Sequence, residues 1–444
     1  MAAINHRRTG TIAAAAACVL LFLLAPLPAR ALGSAEKGDC SIEAVAAERL
    51  TASYLRFPDE PLIYVDREDA LLASVTRLLL EGDLSTYVDY EINLYADLSR
   101  APATMAMAAA GGAFATAGSF QTPYRTTYLS WDFIEEDKLN GRLGIDRFSI
   151  NIEVDRVTIT VGRFPINYSK TRIFTPNDFF APFSSAAVNK MYKPGVDALR
   201  VSVSLGMLSS IELAAVLGSD DDGSPSWGKT AFMLRAAAVK WSFEWAVLGG
   251  KLAGRWVLGA SIQGEAGPFG LRAEAHAGFP DADGRGSLDD MDGDGESSDD
   301  IHGRLALGID KMFTWHNIAI SAEYMYVSDG AASPSDYLGR ALRFYPDDQT
   351  FMGSHYVGLS AGGEIVPILM VQGMVLFNAR DFSGLGALFF VHNMTDESDL
   401  VIGLLAPWGD KPSVDLNHFD PSSVIKSEFG LMPLTAFIEC RVYF

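Results

Sequence analysis

The sequence predicts an all-β protein: a transmembrane antiparallel β-barrel of 16 to 18 strands with a short N-terminal helical segment. Apolar and polar residues alternate along many short stretches, and the connections between these stretches alternate between short and long. The chain is strongly acidic, yet its mean hydropathy is positive at +0.14. Apolar residues must therefore be separated by strand face, as they are in a barrel with lipid on one side.

The N-terminus has the features of a secretory signal peptide. Arg7 and Arg8 precede the apolar stretch 11–27, and Ala29-Arg30-Ala31 provides a small-x-small cleavage site. We therefore predict that residues 1–31 are removed, the alternative being an uncleaved anchor helix. After residue 31 no run of 18 or more strongly apolar residues follows, so spanning helices are not expected.

The charge of the mature chain limits its partners. Loss of Arg7, Arg8 and Arg30 takes the formal charge from −20 to −23, so the net field does not favour nucleic acid. Two cysteines remain, Cys40 and Cys440. Either a disulfide or two free thiols fits this count in an oxidising compartment.

Residues 32–70 predict a periplasmic helical segment. Ile42, Ala46 and Leu50 follow helical spacing, and Pro58 and Pro61 act as stops. Residues 66–82 fit a capped helix, whereas 74–81 within them fit a strand equally well.

The barrel is expected within residues 71–444. Seventeen stretches show period-two alternation at a spacing of roughly 10 to 13 residues. They are 88–94, 131–133, 148–154, 157–161, 199–205, 211–215, 232–234, 241–245, 256–262, 269–273, 305–309, 318–324, 357–361, 368–370, 385–391, the residues around 401, and 434–444. Because both chain ends should be periplasmic, an even number is needed, so one more strand is expected at 74–81 or 104–117.

The connections provide a topology test. Short turns are expected near 155, 206–207, 265–267, 311–314, 362–365 and 394–398. Long loops are expected at 164–195, 218–229, 279–301, 328–352 and 408–433. Short periplasmic turns and long external loops are typical of membrane barrels, and 16 to 18 strands would enclose an aqueous channel.

The chain ends in an alternating strand. Phe444, Val442 and Cys440 share one face, and Tyr443 and Arg441 the other. This ending resembles the terminal strand of bacterial outer-membrane barrels.

A second resemblance covers the segment from Val161 to Arg200, which reads VGRFPINYSKTRIFTPNDFFAPFSSAAVNKMYKPGVDALR. It resembles a segment of porin-like outer-membrane proteins of Gram-negative bacteria, in which a Gly-Arg strand end leads into a Pro-Asp-aromatic loop and a Pro-Gly-Val-Asp strand start. The chain departs from that pattern at Phe164 and at Tyr168-Ser169. The resemblance implies a channel in the outer membrane, with lipid and lipopolysaccharide around it.

The same segment holds the candidate site residues. Its prolines and aromatics indicate an ordered loop that folds into the lumen as a constriction. Its charged residues are mostly basic, which favours anionic solutes. The predicted constriction residues are Arg163, Lys170, Arg172, Asp178, Lys190, Lys193, Asp197 and Arg200. In the alternative, these bases pair with lumenal carboxylates such as Asp89, Glu91, Asp132 and Glu153, or contact lipopolysaccharide.

An acidic stretch at 281–300 holds nine carboxylates and one arginine. Asp290, Asp292 and Asp294, followed by Gly295, fit the D-x-D-x-D-G start of a calcium loop, but position 12 is Ile301. The stretch fits either a Ca²⁺ site or a solvated acidic loop.

The sequence favours a passive channel for small hydrophilic solutes, with anionic solutes favoured by loop 164–195. The alternative from a different class is a barrel without an open channel that acts in export, envelope assembly or surface binding. A soluble all-β protein would need polar residues on both faces of some strands. The chain carries no G-x-S-x-G motif and its six mature histidines are scattered, so no enzyme is predicted.

Overall fold

Antiparallel strands make up most of the computed structural model, which describes residues 33–102, 122–136, 138–183, 192–220, 222–253, 255–280, 301–341, 351–415, 420 and 423–444. The strands in these residues are β1 Gly33–Lys37, β2 Cys40–Arg56, β3 Glu68–Ser85, β4 Val88–Arg100, β5 Ser130–Glu135, β6 Leu139–Val154, β7 Val157–Phe164, β8 Val196–Gly206, β9 Ser209–Val216, β10 Ala231–Lys240, β11 Phe243–Leu252, β12 Arg255–Ala266, β13 Phe269–Pro280, β14 His302–Phe313, β15 Ile318–Val327, β16 His355–Val366, β17 Leu369–Asn378, β18 Gly384–Thr395, β19 Ser398–Trp408 and β20 Leu434–Tyr443. A short helix, α1, spans Tyr337–Ala341.

Eighteen of these strands close into a barrel. Each pairs with its neighbour in chain order, and the ring closes where β20 pairs with β2, with Leu50 opposite Cys440. β1 pairs with the start of β2, and β5 pairs with residues Asn140 to Gly144 of β6. The predicted range of 16 to 18 strands is confirmed.

The two faces of the wall differ as the period-two pattern predicts. On β12, Trp256 and Leu258 are 53% and 63% exposed on the outside, while Val257 between them is 3% exposed on the inside. Large exposed apolar side chains recur in this way on the outer face of most strands. The wall therefore has an apolar outside. No helix in the described ranges is long and apolar enough to cross a membrane.

The connections fall at two ends of the barrel, which we call the turn end and the loop end. Tight turns such as Gly206 to Ser209 and Ala266 to Phe269 lie at the turn end, where Gly267 has a φ of +60° that suits glycine. The long connections, including those between β7 and β8 and between β19 and β20, lie at the loop end. The predicted alternation of short and long connections is confirmed.

The prediction of an N-terminal helix is wrong for the residues that the structure describes. Cys40–Arg56 forms strand β2, so the barrel wall begins well before residue 71. A spacing of four residues fits one helical turn but also two strand repeats, so Ile42, Ala46 and Leu50 share the outer face of β2. Pairing with β3 and β20 decides in favour of the strand.

The eighteenth wall strand comes from residues that the sequence left ambiguous. Residues 74–81 lie within β3, whereas 104–117 lies outside the described residues. All seventeen predicted strands exist, but 131–133 belongs to β5, which is not a wall strand. β2 and β3 together bring the wall to eighteen.

The strands β2 and β3 are longer than the rest, at 17 and 18 residues. The last residue, Phe444, pairs through its backbone with Ala46, so residues 40–45 continue past the end of β20. Cys40 lies on this extension and Cys440 in the wall, and both are free thiols. The predicted signal peptide lies outside the described residues.

Candidate functional site

The connection between β7 and β8 enters the barrel. Ile166, Tyr168, Phe174, Phe179 and Phe180 are all buried, although none of them lies on a strand. Their aromatic and branched side chains pack against the inner wall, where Phe180 makes edge contacts with Tyr124 and Tyr168. Burial of this apolar surface holds the loop inside.

The lumenal loop, residues 165–183 with 192–195, lies along half of the inner wall. The Tyr168 hydroxyl donates to Glu212 on β9 at 2.8 Å, and the Asn177 amide donates to the Ala260 carbonyl on β12 at 3.3 Å. At β16, a Cβ on Gly358 would lie 2.9 Å from the Cγ2 of Ile173. The loop therefore reaches from β9 to β16 across the interior.

Two predicted site residues close the base of this loop. Arg163 on β7 donates to both carboxylate oxygens of Asp197 on β8, at 2.7 and 2.8 Å. Its other donors reach the carbonyls of Ile145 and Thr126 at 3.0 and 2.9 Å. Arg163 is 1% exposed, so it stabilises the loop ends and cannot meet a solute.

A second ion pair ties the two parts of the loop together. The Lys193 ammonium contacts the Asp178 carboxylate, and both side chains are largely buried. Burial lowers the pKa of Lys193, and Asp178 opposes this effect. The predicted residue Lys190 lies outside the described residues.

The remaining described cations of the predicted set are less buried. Lys170 Nζ lies 2.9 Å from Glu244 Oε1, and the Arg172 side chain is 53% exposed at 3.8 Å from Asp310. Arg200 on β8 donates to the Thr160 hydroxyl at 3.3 Å and lies 5.0 Å from the Phe164 ring centroid. These three residues are the part of the predicted set that a solute can reach.

A cavity of about 370 Å³ lies between the loop and strands β8 to β11. Its charged lining residues are Lys170, Arg200, Arg235, Glu212 and Glu244. Glu244 accepts from both Lys170 and Arg235, and Glu212 accepts from Tyr168. Three cations against two carboxylates leave a net positive lining.

A second apolar cluster packs against the loop elsewhere in the interior. Leu376, Leu385, Phe389 and Leu405 on β17 to β19 pack around Phe174 of the loop. The cavity beside β8 to β11, by contrast, is lined by several charged side chains.

The sequence analysis did not identify a cluster of polar side chains around Tyr192, near the C-terminal end of the lumenal loop. The guanidiniums of Arg77 and Arg147 lie 3.8 and 4.2 Å from the Tyr192 ring centroid, and Asn93 donates to the Tyr192 hydroxyl. Arg147 also pairs with Glu91 at 2.9 Å. The alternating positions of these residues on predicted strands were the available signal, but the partner in the loop is distant in sequence.

The alternative prediction was that these bases pair with lumenal carboxylates. In the structure several of them do form ion pairs, but with other carboxylates. Of the predicted bases that the structure describes, four form ion pairs with Asp197, Asp178, Glu244 and Asp310, and none of these four pairs uses a carboxylate named from sequence. Asp290, Asp292 and Asp294 lie outside the described residues. Among the residues that are described, no group of three or more His, Cys, Asp or Glu side chains is placed to hold a metal ion.

Comparison with known proteins finds likeness in structure alone. No family model matches the sequence, and no curated protein matches it. Among solved structures, OccAB4 of Acinetobacter baumannii has a TM-score of 0.56 at 8% identity, covering 92% of this chain and 98% of its own. OccAB1 of the same organism has a TM-score of 0.54 at 9% identity, covering 94% and 99%.

A third similar structure is OccK2 (OpdF) of Pseudomonas aeruginosa in complex with glucuronate. Its TM-score is 0.52 at 9% identity, covering 91% of this chain and 96% of its own. These proteins are substrate-specific outer-membrane channels and not enzymes. At this identity the likeness shows the fold, a closed 18-strand antiparallel barrel.

Proposed function

We propose that the protein is a passive outer-membrane channel for small hydrophilic solutes, with a preference for anionic ones. The observation that carries the proposal is the lumenal loop, which narrows an 18-strand barrel and leaves Lys170, Arg172 and Arg200 facing the remaining space. Barrels of 16 to 18 strands are wide enough for an aqueous passage.

The outer face of the wall supports a location in the outer membrane. Its exposed Trp, Leu, Ile and Phe side chains would be costly in water and suit lipid. The similar channels and the signal peptide expected at residues 1–31 agree with export to that membrane. Lipid and lipopolysaccharide would surround the barrel.

The cavity beside β8 to β11 suits a small carboxylate. The Arg200 guanidinium can donate two parallel hydrogen bonds to a carboxylate, and Glu212, Ser210 and Asn167 can accept from or donate to hydroxyl groups. Glucuronate, present in the similar OccK2 structure, combines these groups. Sugar acids are therefore the first solutes to test.

The test is single-channel recording of the refolded mature protein in a planar bilayer. We expect stable open steps, a reversal potential in a salt gradient that indicates anion preference, and brief blockades when glucuronate is added. A folded barrel that passes no current would contradict the channel and favour a role in export, envelope assembly or surface binding.

A further inference from the structure

Two buried carboxylates on the barrel wall hold the middle of the lumenal loop. Glu274 on β13 is 2% exposed and Glu323 on β15 is 3% exposed. Both side chains point inward by the alternation of their strands. Burying a carboxylate costs free energy unless hydrogen bonds satisfy its oxygens. The donors to each of these two glutamates therefore account for its burial.

Glu323 accepts from three successive backbone N–H groups of the loop. Arg172 N lies 2.7 Å from Oε1, and Ile173 N and Phe174 N lie 2.9 and 3.0 Å from Oε2. Successive N–H groups that converge in this way form an anion-binding nest, here filled by a side chain of the wall. Charge-assisted bonds of this kind are stronger than those between neutral groups.

Glu274 holds the preceding residues. It accepts from the Lys170 backbone N–H at 2.6 Å, from the Thr171 hydroxyl at 2.5 Å and from the Ser169 hydroxyl. The two glutamates together engage every residue from Ser169 to Phe174. Four of these six hydrogen bonds come from backbone N–H groups and two from hydroxyls, so this stretch of the chain has little freedom.

The same stretch carries the two loop cations that face the passage. With the backbone of residues 170–172 fixed, the Lys170 side chain reaches Glu244 and the Arg172 side chain stays 53% exposed. Glu323 also needs the space that a glycine leaves beside it, because a Cβ on Gly308 of β14 would lie 3.2 Å from the Cγ of Glu323.

We propose that Glu274 and Glu323 are positioning residues for ion selectivity. By binding residues 169–174, through four backbone N–H groups and two hydroxyls, they determine where Lys170 and Arg172 stand in the passage, although neither glutamate need touch the solute. This inference rests on the proposed channel function. It predicts that removal of two negative charges from the wall lowers anion preference, the opposite of a direct electrostatic effect.

The experiment measures reversal potentials in planar bilayers for the wild type, Glu323→Ala, Glu274→Ala and Glu323→Gln, each with and without Arg172→Met. In the wild type we expect Arg172→Met to lower the anion-to-cation permeability ratio by about threefold. In Glu323→Ala the ratio should already be low, and Arg172→Met should change it little. Glu323→Gln should give an intermediate ratio because its amide oxygen still accepts.

The matched control is Glu439→Gln. Glu439 lies inward on β20 and accepts from Thr51 at 3.1 Å and Arg441 at 2.6 Å, so this change removes a lumenal charge away from the loop. Its anion preference should hold or rise. The inference is overturned if Glu323→Ala and Glu274→Ala conduct with wild-type or higher anion preference and keep the full Arg172→Met effect.

Folding and channel function are separated in the same experiment. If Glu323→Ala does not form a barrel, Glu323→Gln decides, and a wild-type ratio with a full Arg172→Met effect in that variant also overturns the inference. A wild-type protein that passes no current contradicts the proposed function instead.

Discussion

At the level of single residues, burial separates lumenal cations that look alike in sequence. Arg163 and Lys193 are engaged by Asp197 and Asp178, whereas Arg172 and Arg200 retain access to the passage. Neutralising members of the first group should affect folding, and neutralising members of the second should affect selectivity.

Arg200→Met is expected to reduce anion preference. Arg200 lines the cavity with a guanidinium whose contacts are a hydroxyl and an aromatic ring, so its charge is available to a solute. We expect the anion-to-cation permeability ratio to fall by about threefold, measured from the reversal potential, with weaker glucuronate blockades.

Lys311→Met provides the control for this prediction. Lys311 lies on β14 over the rings of Phe269 and Phe313, close to the turn end. The Lys311→Met change also removes one positive charge, but at a position that does not line the cavity. Equal loss of selectivity in both variants would show that net charge, and not Arg200, is responsible.

Arg163→Met is expected to destabilise the barrel. The change leaves Asp197 without its guanidinium and two carbonyls without donors in a buried site. We expect the free energy of unfolding to fall by about 3 to 5 kcal/mol, measured by urea denaturation in detergent. Arg67→Met, which breaks an exposed pair with Asp59 at 3.1 Å, should cost about 1 kcal/mol or less; similar losses would contradict the argument.

At the level of elements, the loop-end connections are joined by a buried polar network. Glu428 accepts from the Tyr356 hydroxyl, from Asn378 at 2.8 Å and from the Met352 N–H at 3.3 Å. Its own N–H donates to Asp381 at 2.8 Å. The network connects the segments after β15, β17 and β19.

This network should make loop packing pH-dependent. Burial raises the pKa of Glu428 from 4.5 to about 7, against the hydrogen bonds that it accepts. Because the pKa is raised on folding, the stabilisation is complete below pH 4.5 and is lost progressively as pH rises to 7. The loss amounts to about 3 kcal/mol.

Hydrogen exchange measures this effect. We expect the protection factors of the Met352 and Gly353 amides to fall between pH 5 and pH 7 in the wild type, a window set by the raised pKa. Glu428→Gln should remove the pH dependence because it keeps a neutral acceptor. Protection that stays constant in the wild type would rule out the titration of Glu428.

At the level of the whole molecule, closure depends on one seam. β20 pairs with β2 from Leu434 opposite Arg56 to Tyr443 opposite Ala47. The seam joins the first and last strands of the wall, so the wall cannot close until β20 is present. An open edge would expose unpaired backbone groups, which lipid cannot satisfy.

Deletion of residues 434–444 is therefore expected to abolish the closed barrel. Electrophoresis without boiling measures this, since a closed barrel migrates faster than the unfolded chain. Deletion of residues 33–37 is the matched control, because β1 pairs with β2 beyond the seam and is not a wall strand. Equal loss in both deletions would contradict the role of the seam.

The sequence by itself determined the strands and the ends of the barrel. Period two is a local property, so the seventeen strands and the alternation of connections follow from neighbouring residues, and the composition of loop 164–195 predicts that it enters the lumen. The local pattern predicted the wrong secondary structure at Cys40–Arg56, because a four-residue spacing fits both a helix and a strand. There, pairing with distant strands decided.

Only the tertiary structure decided the roles of the site residues. Whether Arg163 faces a solute or Asp197 depends on the segment around Thr126, and Glu274 and Glu323 reach the loop from positions about 100 to 150 residues away. Hydrogen bonds between such distant groups leave no periodic trace in the sequence. The prolines, aromatic residues and charges of this loop predict a constriction, but only burial and the choice of partner distinguish its structural residues from the exposed ones.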